Sequence, residues 1–187
     1  GDVASLVLDD GKAKFGQPSS VVRVSGNEYE IVRAGVLSET TLKRLASLVV
    51  LFVCTGNTCR SPMAEVLMRR RVAERLGCPL NELEDRGVWV LSAGVAAMSG
   101  GRASHEAHLA VSHYGLDLKA HESQPVSDRL VRFADLILTM TRGHRDALLS
   151  QWPEAQGRTR LVSRNQGDVA DPIGGPAEQY QRCAEQI

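Results

Sequence analysis

The stretch LVVLFVCTGNTCRSPMAEVLMRRRVAERLG, residues 48–77, decides the fold. Its first six residues, Leu48 to Val53, are continuously apolar and rich in β-branched side chains, as in a strand buried on both faces of a parallel sheet. A Gly/Thr/Asn turn from Cys54 to Ser61 follows, and then a helix. Ser61 can cap that helix, Pro62 suits its first position and Gly77 its end. Ala64, Met68, Val72 and Leu76 recur at i+4 and form a face for the sheet, while Arg69 to Arg71 read as a solvated face.

The alternation continues outward. VWVLSAG (88–94) reads as a second strand, helices are expected from about Ser104 to Tyr114 and from near Ser127, and DLILTM (135–140) is a third buried strand. Arg142 to Gln151 reads as a helix ended by Trp152-Pro153, Thr159 to Ser163 as a fourth strand, and Ala177 onward as a final helix. The fold class is α/β: a four-stranded parallel sheet flanked by helices. In such sheets ligands bind beyond the carboxyl ends of the strands, where the Cys54 loop lies.

Residues 1–46 follow another pattern. Val22, Val24, Tyr29, Ile31 and Val32 surround a Gly26-Asn27 turn, so a hairpin is expected, then a short helix over about Ser38 to Leu45. The domains are therefore an appendage, 1–46, and a main domain, 47–187. The 187 residues carry 22 basic and 22 acidic side chains. Zero net charge removes the electrostatic footprint of a nucleic-acid binder. No run approaches the roughly 18 apolar residues of a membrane span, and no signal peptide is legible. Cys54, Cys59, Cys78 and Cys183 match neither a disulfide framework nor a zinc pattern, so a reducing cytoplasm is expected. Cys78 and Cys183 read as packing residues, and Cys54 and Cys59 as exposed to chemistry.

The turn places a thiol, Cys54, and a guanidinium, Arg60, at the two ends of a Cys-x5-Arg loop before a helix N-terminus. Backbone N–H groups of Thr55, Gly56, Asn57, Thr58 and Cys59 can converge there as a nest for a phosphate dianion, aided by the helix dipole. Gly56 and Asn57 tolerate the left-handed backbone that such convergence needs. Arg60 can hold two phosphoryl oxygens through the transition state. The same positive field favours a Cys54 thiolate, so the nucleophile needs no histidine base. Ser61 can donate to that sulfur, cap the helix, or do both. An acid must protonate the leaving group: Asp171, stiffened by Pro172, is the first candidate and Asp168 the second, the alternative being that both cap turns. His105 and His108 lack further ligands in any usual pattern, so no metal is expected and the pair reads as solvated. Trp89, Trp152 and Tyr114 are assigned to packing, and Tyr180 is left open.

VLFVCTGNTCRSPMAE (50–65), SAG (92–94), Gly115-Leu116-Asp117, AHES (120–123), DLILTM and DPIGG (171–175) together resemble the low-molecular-weight protein phosphatase family, over roughly 47–187. The resemblance implies a cofactor-independent hydrolase acting on phosphorylated proteins and releasing inorganic phosphate. Cys54 would form a phosphocysteine, Arg60 would clamp the phosphoryl group, and Asp171 would act as acid and then base. It also implies that Ser92 and His121 support Asn57.

Thr58 stands where eukaryotic tyrosine phosphatases of the family carry a bulkier aliphatic residue, and DPIGG replaces their aromatic pair. Both features are similar to bacterial protein-arginine phosphatases. A threonine hydroxyl suits a polar phosphoramidate, so phosphoarginine is the expected substrate, with phosphotyrosine and a non-catalytic phosphate-binding module as alternatives. Cys59 can form a reversible disulfide with Cys54 that shields it from over-oxidation. Arsenate reductases share the fold and loop, but residues 79–182 contain no cysteine for their relay. Separately, DDGKAKFGQPSSVVRVSGNEYEIVRAGVLS (9–38) resembles the closing segment of YrdC-like threonylcarbamoyl-AMP synthases; Ser19 and Ser20 match residues near that family's nucleotide site, but too little domain is present to build one. With Gly-Asp at the start and no methionine before Met63, a fragment of a longer fusion is expected.

Overall fold

A computed structural model describes residues 11, 12, 14–26, 28–163, 165 and 167–187. The chain divides into two compact units, Gly1–Ala46 and Ser47–Ile187. In the first, β1 (Val21–Ser25) pairs antiparallel with β2 (Glu28–Arg33), setting Val22 opposite Ile31 and Val24 opposite Tyr29. Asn27, assigned to the turn, lies outside the described residues. Ser38 caps α1 (Glu39–Leu45), its Oγ accepting the Thr41 N–H. No described side chain of this unit is buried.

The second unit is built on β3 (Leu48–Cys54), where Val49 to Cys54 are all at most 3% exposed. Burying a Val, Leu or Phe side chain contributes about 1.5–3 kcal/mol each, so this strand anchors the domain. It lies between β4 (Val88–Gly94) and β5 (Leu136–Thr139), and β6 (Thr159–Leu161) adds beyond β5. All pairings are parallel, in the order β4-β3-β5-β6. Val50, Phe52 and Cys54 face one core with Met63, Val111 and Tyr180; Val49, Leu51 and Val53 face the other with Val131, Leu148 and Trp152. Strand alternation alone produces this division.

The helices are α2 (Arg60–Leu76), α3 (His105–Ser112), α4 (Asp128–Phe133), α5 (Arg142–Gln151) and α6 (Ala177–Gln186). Ser104, Ser127 and Thr141 cap α3, α4 and α5 with their hydroxyls. Among the described residues no helix is long and apolar enough to cross a membrane.

Several local expectations are corrected. Helix α2 begins at Arg60 with Cys59 as N-cap, so Ser61 is inside the first turn and does not cap it. Gly77 does end it, in the left-handed conformation (φ 65°). Leu76, in the last turn of α2, does not face the sheet; it is 47% exposed, and Met63 and Ala73 are buried instead. The fourth strand stops at Leu161, since β5, its only partner among the described residues, ends at Thr139. His108 is half-buried rather than solvated: its Nδ1 accepts the Leu118 N–H at 3.1 Å. His105 is exposed.

Candidate active site

The loop Thr55–Cys59 emerges at the carboxyl end of β3, between the connections that leave β4 and β5. Parallel strand order therefore puts three chain segments around one loop. Asn57 is the only described non-glycine residue with positive φ, 56°, and is fully buried; Gly56 does not use that region. A Cβ at Gly94 would overlap the Thr55 carbonyl oxygen and come within 2.9 Å of Asn57 N, so the end of β4 must be glycine for the loop to pack against it.

Asn57 organises the loop. Its Nδ2 donates to Ser61 Oγ and Ser92 Oγ, both at 2.9 Å, and its Oδ1 accepts the Gln124 N–H at 2.9 Å. His121 Nε2 donates to the Asn57 carbonyl at 2.8 Å. Ser92 Oγ donates to Glu65 Oε2 at 2.6 Å, and Gln124 Nε2 donates to the Ser92 carbonyl at 3.0 Å. Burial pushes the Glu65 carboxyl above its ordinary range, with the Ser92 bond and the charges of His121 and Arg69 opposing.

Cys54 is 3% exposed, with Ser61 Oγ 2.9 Å from its Sγ and the Asn57 N–H donating to it at 3.3 Å. Ser61 Oγ already accepts from Asn57, which leaves its proton for the sulfur or, at 3.4 Å, for the Ala93 carbonyl. The backbone N–H groups of Gly56, Thr58 and Cys59 have no acceptor among the described residues. Arg60, 4% exposed, donates through Nη1 to the Val169 carbonyl at 3.2 Å and through Nη2 to Thr55 Oγ1 at 3.3 Å, and it forms an ion pair with Asp171. Asp171 is itself 41% exposed. Unpaired loop amides, a buried guanidinium and a sulfur held by donors can together receive a tetrahedral oxyanion. That dianion would compete with the Asp171 carboxylate for Arg60.

The remaining sequence candidates fall around this centre. Thr58 is half-buried, its Oγ1 3.6 Å from Cys59 Sγ. Cys59 donates to Ser104 Oγ at 3.4 Å and lies 3.8 Å from Tyr180 Oη, placing the otherwise unassigned Tyr180 beside the loop. All four cysteines are free. Burial pushes the Cys183 thiol up to about 12, as for an inert packing residue. Asp168 accepts the Arg142 N–H at 2.8 Å and pairs with Arg142. Among the described residues no three His, Cys, Asp or Glu side chains are grouped to hold a metal ion.

Sequence reasoning missed Glu65, Gln124 and His144. Glu65 sits on α2 one turn before Arg69 to Arg71, and its charge gives no local sign of its place beside Ser92. His144, 7% exposed, bonds Thr55 Oγ1 through Nε2 at 2.8 Å and Thr141 Oγ1 through Nδ1 at 2.9 Å.

A family model described as low molecular weight phosphotyrosine protein phosphatase matches residues 49–187. A protein-arginine-phosphatase of Geobacillus stearothermophilus is 38% identical over 142 residues, spanning 74% of this chain and 87% of that protein. A probable low molecular weight protein-tyrosine-phosphatase, EpsP, of Ralstonia nicotianae is 35% identical over 139 residues, again 74% of this chain and 87% of the relative. The solved YwlE arginine phosphatase from Geobacillus stearothermophilus superposes with a TM-score of 0.62 at 39% identity, covering 74% of this chain and 84% of that one.

Proposed function

Because the chain belongs to the low molecular weight phosphotyrosine protein phosphatase family of hydrolases, we propose that it cleaves phosphoarginine in proteins through a phosphocysteine intermediate on Cys54. The observation that carries the chemistry is the meeting of Cys54 Sγ, Arg60 and Asp171 around a loop whose Gly56, Thr58 and Cys59 amides lack acceptors. Ser61 and the Asn57 N–H steady the sulfur as a thiolate. The phosphoryl group displaces Asp171 from Arg60 and binds the loop amides. Cys54 attacks phosphorus while Asp171, protonated for this step, gives its proton to the leaving nitrogen. Asp171 then takes a proton from water, which attacks the phosphocysteine, releasing inorganic phosphate and the thiolate. Each of these steps is assigned to this chain's own residues and water.

Thr58 supports phosphoarginine over phosphotyrosine, because its hydroxyl can bond a guanidinium nitrogen that an aliphatic side chain would leave unpaired. The named arginine phosphatase at 38% identity points the same way. Initial rates on matched phosphoarginine and phosphotyrosine peptides test the preference. Equal or faster tyrosine dephosphorylation removes it, and no turnover on either favours a phosphate-binding module.

Under peroxide, Cys54 is oxidised to a sulfenic acid with release of water, and the Cys59 thiol then displaces a second water to form a disulfide. Cys59→Ala should convert this reversible product into irreversible Cys54 sulfinic acid, read by mass spectrometry; reversible oxidation in the variant would refute the pairing. Four free thiols fit a reducing cytoplasm. Residues 1–46 are assigned to a YrdC-like remnant without synthase activity; ATP-dependent threonylcarbamoyl-AMP formation by this chain would overturn that.

A further inference from the structure

We infer that His144 is a positioning residue for phosphoryl transfer, acting through the Thr55 hydroxyl to hold the Arg60 guanidinium in one orientation. The inference rests on Arg60 being the phosphoryl clamp proposed above.

Hydrogen-bond accounting fixes the chain of contacts. Thr141 caps α5, its Oγ1 accepting the His144 backbone N–H at 3.1 Å. The Thr141 hydroxyl proton then goes to the acceptor within reach, His144 Nδ1 at 2.9 Å. With Nδ1 as acceptor, Nε2 carries the proton and donates it to Thr55 Oγ1 at 2.8 Å; the other neutral tautomer keeps the same two contacts with donor and acceptor reversed. Thr55 Oγ1 also accepts from Arg60 Nη2 at 3.3 Å. One oxygen thus ties the guanidinium to a ring seated in the first turn of α5. Burial and then the Arg60 charge hold His144 below its ordinary pKa, against Asp171 and Asp168, which favours the neutral ring.

Among the described residues Arg60 has three acceptors: the Val169 carbonyl on Nη1, and Thr55 Oγ1 and Asp171 on Nη2. Once a phosphoryl group displaces Asp171, the first two remain, one on each terminal nitrogen, and together they stop the fork from rotating. A guanidinium free to rock still attracts a dianion in the ground state. It meets the equatorial oxygens of the transition state less well, so the loss falls on kcat rather than KM.

The test is steady-state hydrolysis of p-nitrophenyl phosphate by the full chain and its variants. His144→Leu and Thr55→Val should each lower kcat about tenfold with KM within about twofold, the scale of a misaligned transition-state donor. The double variant should be no slower than the slower single, because both cut one chain of contacts. His144→Gln, whose amide nitrogen reaches toward Thr55, should recover most of the rate. Thr55 is exposed, so Thr55→Val keeps the test valid if His144→Leu fails to fold. Turnover by the wild type with an unchanged kcat in Thr55→Val, multiplied losses in the double variant, or no recovery by a folded His144→Gln would overturn this inference alone. No turnover by the wild type of p-nitrophenyl phosphate or of phosphoarginine and phosphotyrosine peptides would overturn the phosphatase assignment and this inference with it.

Discussion

Asn57 offers the sharpest test of how the loop is held. Asn57→Gly keeps the backbone at φ 56° without strain but deletes two bonds donated by Nδ2 and one accepted by Oδ1. At a net value of about 0.5–1.5 kcal/mol per bond the loss is about 3 kcal/mol. The largest share comes from the Gln124 N–H, which has no second acceptor among the described residues, whereas Ser61 and Ser92 retain the Ala93 carbonyl and Glu65. Asn57→Ala loses the same bonds and adds about 1–2 kcal/mol for a Cβ in the left-handed region. Relief of the extra chain entropy of glycine returns about 0.5–1 kcal/mol, so alanine should be the less stable by about 0.5–1 kcal/mol. Against a total of about 5–15 kcal/mol these are large fractions, and the glycine variant should melt roughly 6–12 °C lower. Urea denaturation followed by circular dichroism measures both differences. A glycine variant within about 0.5 kcal/mol of wild type would refute the bond accounting, and an alanine variant more stable than glycine would refute the strain.

Three further outcomes are expected. Cys54→Ser should abolish turnover yet retain inorganic phosphate binding by the loop, as read by calorimetry; turnover near wild type would remove Cys54 as nucleophile. Thr58→Ile should shift the rate ratio toward phosphotyrosine peptides, and an unchanged ratio would take Thr58 out of specificity. Glu65 gives a pH signature. Its folded pKa is raised above 4.5 by burial, so the folded state binds the proton more tightly than the unfolded chain. Its contribution is fully present below 4.5 and is lost as pH rises through the folded value. Glu65→Gln keeps an acceptor for Ser92 without the charge, so denaturation midpoints of variant and wild type should diverge as pH rises from 4.5 toward 7; parallel curves would show that Glu65 ionises freely.

The parts legible in the sequence share one property: their signals are contiguous. A strand buried on both faces must read as an apolar run, and the loop and helix that follow it lie in the same 30 residues, so β3, the Cys54 loop and α2 could be placed together. Asp171 lies 111 residues from Arg60, and only its proline and the DPIGG motif around it mark it in the sequence. Ser61 misled because a serine before proline is an ordinary cap. Here the helix starts one residue earlier and the hydroxyl turns inward to Cys54 and Asn57. Glu65 and His144 could not be read at all. A glutamate one turn before three arginines on a helix looks solvated, and a histidine in a helical first turn looks like any polar start. Their meaning depends on Ser92 and Thr55, which only the strand order brings near.

That strand order also explains why the loop is held from two sides. With β3 between β4 and β5, its loop must leave the sheet between the ends of both neighbours. From the β4 side come Ser92, Gly94, His121 and Gln124, and all four bear on Asn57. From the β5 and β6 side come Thr141, His144, Val169 and Asp171, which converge on Thr55 and Arg60. One group fixes the backbone turn that directs an amide at the sulfur; the other fixes the guanidinium. Damage to the first should therefore appear in both stability and turnover, because Asn57 is fully buried and its lost bonds are core bonds. Damage to the exposed Thr55 should appear in turnover with little change in stability. Measuring both quantities on Asn57→Gly and Thr55→Val separates the two supports. Equal stability losses in the two variants would show that the loop is held as a single unit.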